Sequence, residues 1–315
     1  MRNAFIQALE KVTAKNKNLL VLSGDLGYTV FESFIEKYPQ QFFNFGVGEA
    51  NLMGMAAGLA KEGKIPVCYS IIPFITLRCY EQIRNDVCSH KANVKIVGVG
   101  SGLGYAHLGI SHHAGEDVAI MRALPNMSVL VPADPQEVKG AINWALFHKG
   151  PVYVRLGKVG EPSIHRQRLV MNKNTGGFVL RRGGKVLIFT AGTIAHNVLG
   201  AVTLLEKQGI TAHVVSVPFV KPLAKKWISE LARKYRYIYV VEEHSIIGGL
   251  GSAIAETLLE AGVAPPYFKR IGFNDSFCHT IGSYEYMRAH MGLSPEKIAD
   301  EVLKTLRKQK YPKIN

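Results

Sequence analysis

The chain has 315 residues, 47% apolar and 20% charged, which excludes disordered, collagen-like and coiled-coil classes. That length supports two domains whose cores need neither disulfide nor metal to hold them. The formal net charge is +14, but residues 1–165 carry 16 basic and 13 acidic groups while residues 166–315 carry 22 and 11. The basic excess is therefore no general property of the chain. No helix-turn-helix, zinc-finger or RNA-recognition pattern accompanies it, so nucleic acid is not an expected partner.

The first 17 residues, MRNAFIQALEKVTAKNK, carry charges inside every apolar stretch, so they form no signal peptide. A helix is expected near 2–15, then a strand Leu19–Ser23, a helix near 29–37 and a helix near 49–61. The strand Pro66–Ser70 follows, inside a charge-free run from Ile65 to Leu77 that is too short to span a bilayer. Next come a helix near 77–88, strand Val94–Val99, helix near 115–123, strand Ser128–Val131, helix near 135–148 and strand Val152–Leu156. Asp134-Pro135-Gln136-Glu137 offers an Asp N-cap, Pro at N1 and Glu at N3, and Ser294-Pro295-Glu296 offers a similar start for the last helix. Alternating strands and helices imply a doubly wound parallel sheet.

Residues 157–184 break this rhythm with a polar stretch rich in Gly, Lys and Arg. The expected division is a first α/β domain at 1–165, a linker at 166–184 and a smaller α/β domain at 185–315. The second has strands Lys185–Ala191, Ala212–Val217, Tyr237–Glu242 and Phe268–Ile271, with helices near 195–208, 222–235, 249–261 and 295–308. The four cysteines, Cys68, Cys79, Cys88 and Cys278, show no CxxC or zinc spacing and read as reduced thiols of a cytoplasmic protein.

The densest segment is GVGEANLMGMAAGLA, in which Glu49 stands in the first turn of a helix of small and apolar residues. The helix dipole alone explains a carboxylate there. A carboxylate entering an apolar interface can also have a raised pKa and act as an acid–base group. Gly54, Ala57 and Gly58 leave room for another backbone. Two Gly-rich strings, Gly98–Gly104 and Gly248–Gly251, lack the GxGxxG spacing and downstream acid of a dinucleotide site. The first reads as a substrate loop and the second as a helix-entry turn.

GVGEANLMGMAAGLA resembles the GIxEQNMxGxAAGLA signature of the transketolase family's pyrimidine-binding domain. The similarity continues in family order through Tyr80–Asn85, Asn93–Val97, Ser111-His112-His113, Met121–Met127, Val131–Asp134 and Gly150–Leu156. Val241–Ser252 resembles the family's C-terminal domain.

The resemblance implies a fold, a cofactor and roles. The fold is a pyrimidine-binding doubly wound domain followed by a smaller α/β transketolase C-terminal domain. The cofactor is thiamine diphosphate, whose thiazolium C2 supplies a carbon nucleophile. Glu49 matches the glutamate bonded to N1′ of the aminopyrimidine. Phe74 matches the aromatic residue packed against that ring, with Ile71 and Arg78 in the same cofactor-binding stretch. His112 matches the histidine that transfers protons at the donor's oxygens, with His113 beside it. Departures bear on substrate. Ile71 replaces a second Phe, Gly100 stands where a sugar-binding His is expected, and Leu108 stands where an Asp is. Lys158 stands where a phosphate-binding Arg is common, and lacks its bidentate fork. A donor other than the usual pentulose phosphates is implied.

The family's diphosphate-binding domain is marked by GDG followed downstream by Asn, and no GDG occurs in this sequence. The chain is therefore expected to be the C-terminal subunit of a split transketolase. A separate N-terminal subunit would hold the diphosphate and its Mg2+ or Ca2+, in an α2β2 assembly. The expected activity is transfer of a two-carbon ketol unit from a ketose to an aldehyde. The β-subunit of a 2-oxo-acid dehydrogenase, a deoxyxylulose-phosphate synthase and a non-catalytic regulatory paralogue are the alternatives.

Overall fold

The computed structural model describes residues 1–158, 160–174 and 176–310, with residues 308–310 described by their backbone alone. Val159 of the first expected domain, Thr175 of the expected linker and residues 311–315 of the second expected domain lie outside the described residues. In chain order the strands are β1 (Leu19–Ser23), β2 (Phe42–Asn44), β3 (Ile65–Ile71), β4 (Lys95–Val99), β5 (Ser128–Leu130) and β6 (Val152–Leu156). They continue as β7 (Phe178–Arg181), β8 (Val186–Ala191), β9 (Ala212–Ser216), β10 (Phe219–Lys221), β11 (Tyr237–Ser245) and β12 (Tyr267–Phe273).

They form two sheets, ordered β10-β5-β6-β4-β3-β1-β2 and β12-β11-β8-β9-β7. Pairing is parallel except at the edges, where β10 runs against β5 and β7 against β9. β1 and β6 are buried along their whole length, as parallel strands covered on both faces must be. Leu20 and Leu22 enter one core while Leu19 and Val21 enter another, following the two-residue period of a strand. The core holding Leu20, Leu22 and Ile96 also contains Leu187, Phe189, Val215 and Val240 of the second sheet. The two α/β units thus share one continuous apolar layer. Phe5, Leu9 and Ile142, from helices Arg2–Thr13 and Pro135–Phe147, close the outer face of the first sheet. Ile298 and Val302 of helix Pro295–Lys310 close the second.

Asp134 caps its helix as expected, its Oδ1 accepting from Gln136 N and Glu137 N at 3.0 and 2.8 Å. Its Oδ2 also accepts from Ile164 N and His165 N, at 2.9 and 2.7 Å, which ties the departing chain to this helix.

Several elements differ from the sequence reading. The helix expected near 29–37 begins at Glu32, because Thr29 has φ +62, which no right-handed helix allows. The helix expected near 77–88 begins at Tyr80, as Tyr80–Gln82 and a π-helical turn Ile83–Cys88, and a short helix Ile72–Thr76 that the sequence reading left out precedes it. The expected linker contains β7, an edge strand of the second sheet. β10, from the second half of the chain, crosses to the first sheet. Helix Tyr284–His290 was not anticipated.

Candidate functional site

Helix Glu49–Lys61 begins directly after Gly48 and points its first carboxylate into the protein. Glu49 is 1% exposed. Its Oε1 accepts from Ser70 Oγ at 2.9 Å, at the end of β3, and its Oε2 accepts from Arg78 Nη1 at 2.6 Å. Gly24 makes this approach possible, since a Cβ there would stand 3.1 Å from Ser70 Oγ and 3.2 Å from Glu49. The break between helices Ile72–Thr76 and Tyr80–Gln82 delivers Arg78 to the carboxylate. Its guanidinium carbon lies 4.2 Å from the centroid of the Phe74 ring. Burial and the Glu49 carboxylate push the neighbouring Cys79 thiol up to about 12.

Phe74 meets His112 edge to face, with centroids 5.0 Å apart. His112 Nδ1 lies 3.0 Å from Ser111 Oγ. Burial, then His113, Arg78 and Lys158, hold its imidazole below the ordinary histidine value. His113 turns back into its own loop, its Nε2 2.9 Å from the Ala106 carbonyl. Ile71 closes the end of β3 in the apolar layer that includes Tyr105 and touches Phe74.

Gly100 has φ +91, and a Cβ there would lie 2.1 Å from the Tyr105 ring. Tyr105 thus occupies the space that a side chain at position 100 would need. Its ring centroid is 5.8 Å from that of His112 and 4.6 Å from Lys158 Nζ. Glu49, Arg78, Phe74, His112, Tyr105 and Lys158 form one chain of contacts across the mouth of the first sheet. The structure brings the expected residues together, with His113 and Ile71 at its margin.

Sequence reasoning missed two residues here. Tyr105 was concealed because its importance depends on the vacancy at Gly100, although the family's histidine being absent there was a signal. Arg2 joins Lys139 and Lys158 around a cavity of about 320 Å3. A lone Arg at a helix start gave no such signal. A second cavity, about 360 Å3, lies between Pro73, Leu77 and Ile110 of the first domain and Phe273, Phe277 and Met291 of the second.

The Gly248–Gly251 string is a helix entry whose Leu250 and Gly251 amides are already taken. Glu242 Oε2 accepts from Leu250 N and its Oε1 from Gly251 N, at 2.8 and 2.9 Å. His244 Nε2 accepts from Ala119 N at 3.3 Å, joining β11 to helix Asp117–Ala123 of the first domain.

Fold and site define a two-domain α/β protein with a buried carboxylate at a helix entry, facing an aromatic ring and a histidine-bearing loop. The family model described as transketolase, pyrimidine binding domain, matches residues 1–159, and that described as transketolase, C-terminal domain, matches residues 177–298. The chain belongs to the transketolase family. It is 36% identical over 270 residues to one subunit of the apulose-4-phosphate transketolase of Actinobacillus succinogenes, covering 86% of each chain. It is 37% identical over 312 residues to a putative transketolase C-terminal section of Methanocaldococcus jannaschii, covering 98% of this chain and 97% of that one. A solved structure of a split gene transketolase, described as an inactive beta4 tetramer, is 37% identical, covers 97% of both chains and superposes with a TM-score of 0.86.

Proposed function

We propose that this chain is the C-terminal subunit of a two-chain, thiamine-diphosphate-dependent transketolase working in the cytoplasm. It would move a two-carbon ketol unit from a ketose donor to an aldehyde acceptor, with a sugar other than the usual pentulose phosphates. The observation that carries this reading is the Glu49 carboxylate, 1% exposed and beside Phe74 and Arg78.

Those residues fit the aminopyrimidine end of the cofactor. An otherwise water-excluded carboxylate suits a ring nitrogen that must share a proton, and an aromatic face suits a flat heterocycle. When bound, thiamine diphosphate supplies the carbon nucleophile at thiazolium C2. Glu49 would hold the proton shared with N1′, Phe74 would pack against the ring, and Ile71 would close the apolar side. Arg78 would keep the carboxylate in place. His112, with its imidazole neutral at pH 7, would exchange protons at the donor's oxygens. Lys158, beside Arg2 and Lys139, would receive an anionic end of the sugar. Tyr105 in the space of a side chain at position 100 supports a donor shape different from that of the usual substrate.

Helix Glu49–Lys61 supports a partner. A Cβ at Gly54 or Gly58 would meet no described atom within 4 Å, and Met55 and Val47 are exposed nearby. That face would accept the separate N-terminal subunit, which would hold the diphosphate through Mg2+ or Ca2+, in an α2β2 assembly. The Actinobacillus succinogenes relative is named as one subunit of its transketolase, which supports the same division.

The test combines the purified chain with its cognate N-terminal subunit, thiamine diphosphate and Mg2+, and assays ketol transfer across a panel of ketoses. Transfer by the mixture and by neither chain alone is expected. Tight cofactor binding by this chain alone with Mg2+ would sink the split assignment. Efficient turnover of xylulose 5-phosphate would sink the donor assignment.

A further inference from the structure

One side chain of the second domain supports the backbone of the loop carrying Tyr105 and His112. Glu243, in β11, is 1% exposed. Its Oε1 accepts from Leu103 N at 2.9 Å. Its Oε2 is gripped within its own domain by Arg288 Nε at 3.1 Å and Nη2 at 2.5 Å, Tyr284 OH at 2.8 Å and Thr193 Oγ1 at 3.2 Å. One carboxylate oxygen is therefore immobilised by three side chains while the other reaches across the domain boundary. Gly102 makes room for it, since a Cβ at that position would lie 2.4 Å from the Glu243 carboxyl carbon.

The foot of the loop is built around this contact. Ala114 N donates to Gly102 O at 2.8 Å, which closes residues 102–114 into a loop. Arg155 Nη2 donates to Ala114 O at 2.7 Å and to Glu243 O at 3.1 Å, while Arg155 Nε pairs with Asp117 at 2.8 Å. Two buried ion pairs, Arg155–Asp117 and Arg288–Glu243, thus carry the two feet. Buried ion pairs are weak sources of stability compared with apolar packing, and their best use is to hold one geometry. Functional groups held by loops depend on such supporting contacts.

We propose that Glu243 is a positioning residue through which the C-terminal domain sets the loop that places Tyr105 and His112 against Phe74 and Lys158. The inference rests on the proposed role of His112, but its physical test does not.

The test compares two double variants of the full chain. Glu243→Met with Arg288→Met removes the ion pair without stranding a charge and removes the acceptor for Leu103 N. Glu243→Gln with Arg288→Met removes the same charges and keeps an amide oxygen for Leu103 N. Deuterium uptake by residues 101–114 is expected to quicken about tenfold or more in the first variant, and to return towards wild type in the second. The β8 amides should exchange alike in all three proteins. With the N-terminal subunit present, kcat should fall at least about tenfold in the first variant and recover in the second. Equal uptake in the two variants, or quickening spread evenly over β8, would overturn the proposal. Tyr284→Phe, which removes one grip on Oε2 and keeps the ion pair, covers the case in which the first variant does not fold. Loop uptake unchanged in Tyr284→Phe would then overturn it. Loosening of the loop as expected, together with no ketol transfer by the wild-type assembly, would reject the functional reading and leave the positioning role standing.

Discussion

Arg78 and Glu49, 29 residues apart, are joined by a 2.6 Å ion pair in which the glutamate side chain is 1% exposed and the arginine side chain 41% exposed. The pair is thus half in water, so its Coulombic part is screened and the charge-assisted hydrogen bond is its stronger component. Arg78→Met is expected to destabilise the chain by about 1–3 kcal/mol by stranding a buried carboxylate. Arg78→Lys should recover part of that, having the charge but not the flat contact with Phe74. Urea denaturation measures both, and a wild-type midpoint for Arg78→Met would show that the pair holds nothing.

Glu49→Gln keeps the shape of the side chain and an oxygen for Ser70. Its amide nitrogen replaces the acceptor of Arg78, whose partly exposed side chain can turn to water, so the thermal midpoint should fall by no more than in Arg78→Met. In the assembled enzyme, turnover should fall by about 10²–10⁴-fold, the usual reach of positioned proton transfer. Near-normal turnover would remove Glu49 from that role.

His112 should titrate below the ordinary value of 6.5, because burial and the charges of His113, Arg78 and Lys158 oppose its protonation. Lys158→Gln removes one of those charges and should raise the midpoint seen by NMR. The sign follows from repulsion between like charges. The acid limb of the activity profile should move to higher pH with it, and a limb that stays fixed would separate His112 from catalysis.

Glu137 is fully buried, and burial pushes its carboxyl up to about 7, although Ala133 N donates to it. Its unfolded counterpart ionises first, so its contribution to stability is complete below about 4.5 and is lost as pH rises through 7. His165 works in the same direction. Burial opposes its charge, but Asp134 and Glu137 outweigh that and raise its value. Glu137→Gln should gain about 1–3 kcal/mol relative to wild type between pH 5 and pH 8. Parallel stability profiles for the two proteins would contradict this.

Gly100→Ala places a Cβ in the Tyr105 ring at a φ of +91. It should cost about 1–3 kcal/mol or more. Adding Tyr105→Leu should return the steric part and leave the backbone part, which a double-mutant cycle separates. Simple additivity of the two changes would mean that the ring does not fill that space.

Much of the first domain was readable along the chain. β1, β6 and helix Glu49–Lys61 fall at their expected bounds, because fully apolar runs and helix-entry residues act over a few neighbours. Helix Ile72–Thr76 and the turn at Leu77–Cys79 were not readable, since the apolar run Ile65–Leu77 carries no mark of where the strand ends and a helix begins. Arg78 in that turn lies beside a carboxylate 29 residues earlier.

The sequence by itself determined the α/β class, the family resemblance and the identity of the carboxylate, ring and histidine that meet at the site. Only the tertiary structure decided how they are held. β10 joins the first sheet because β5 offers it an edge, Tyr105 matters because Gly100 is empty, and Glu243 reaches Leu103 across 140 residues of chain. Periodicity and capping are local chemistry written in adjacent residues. A carboxylate's partner, or the space left by a missing side chain, exists only once distant segments have packed.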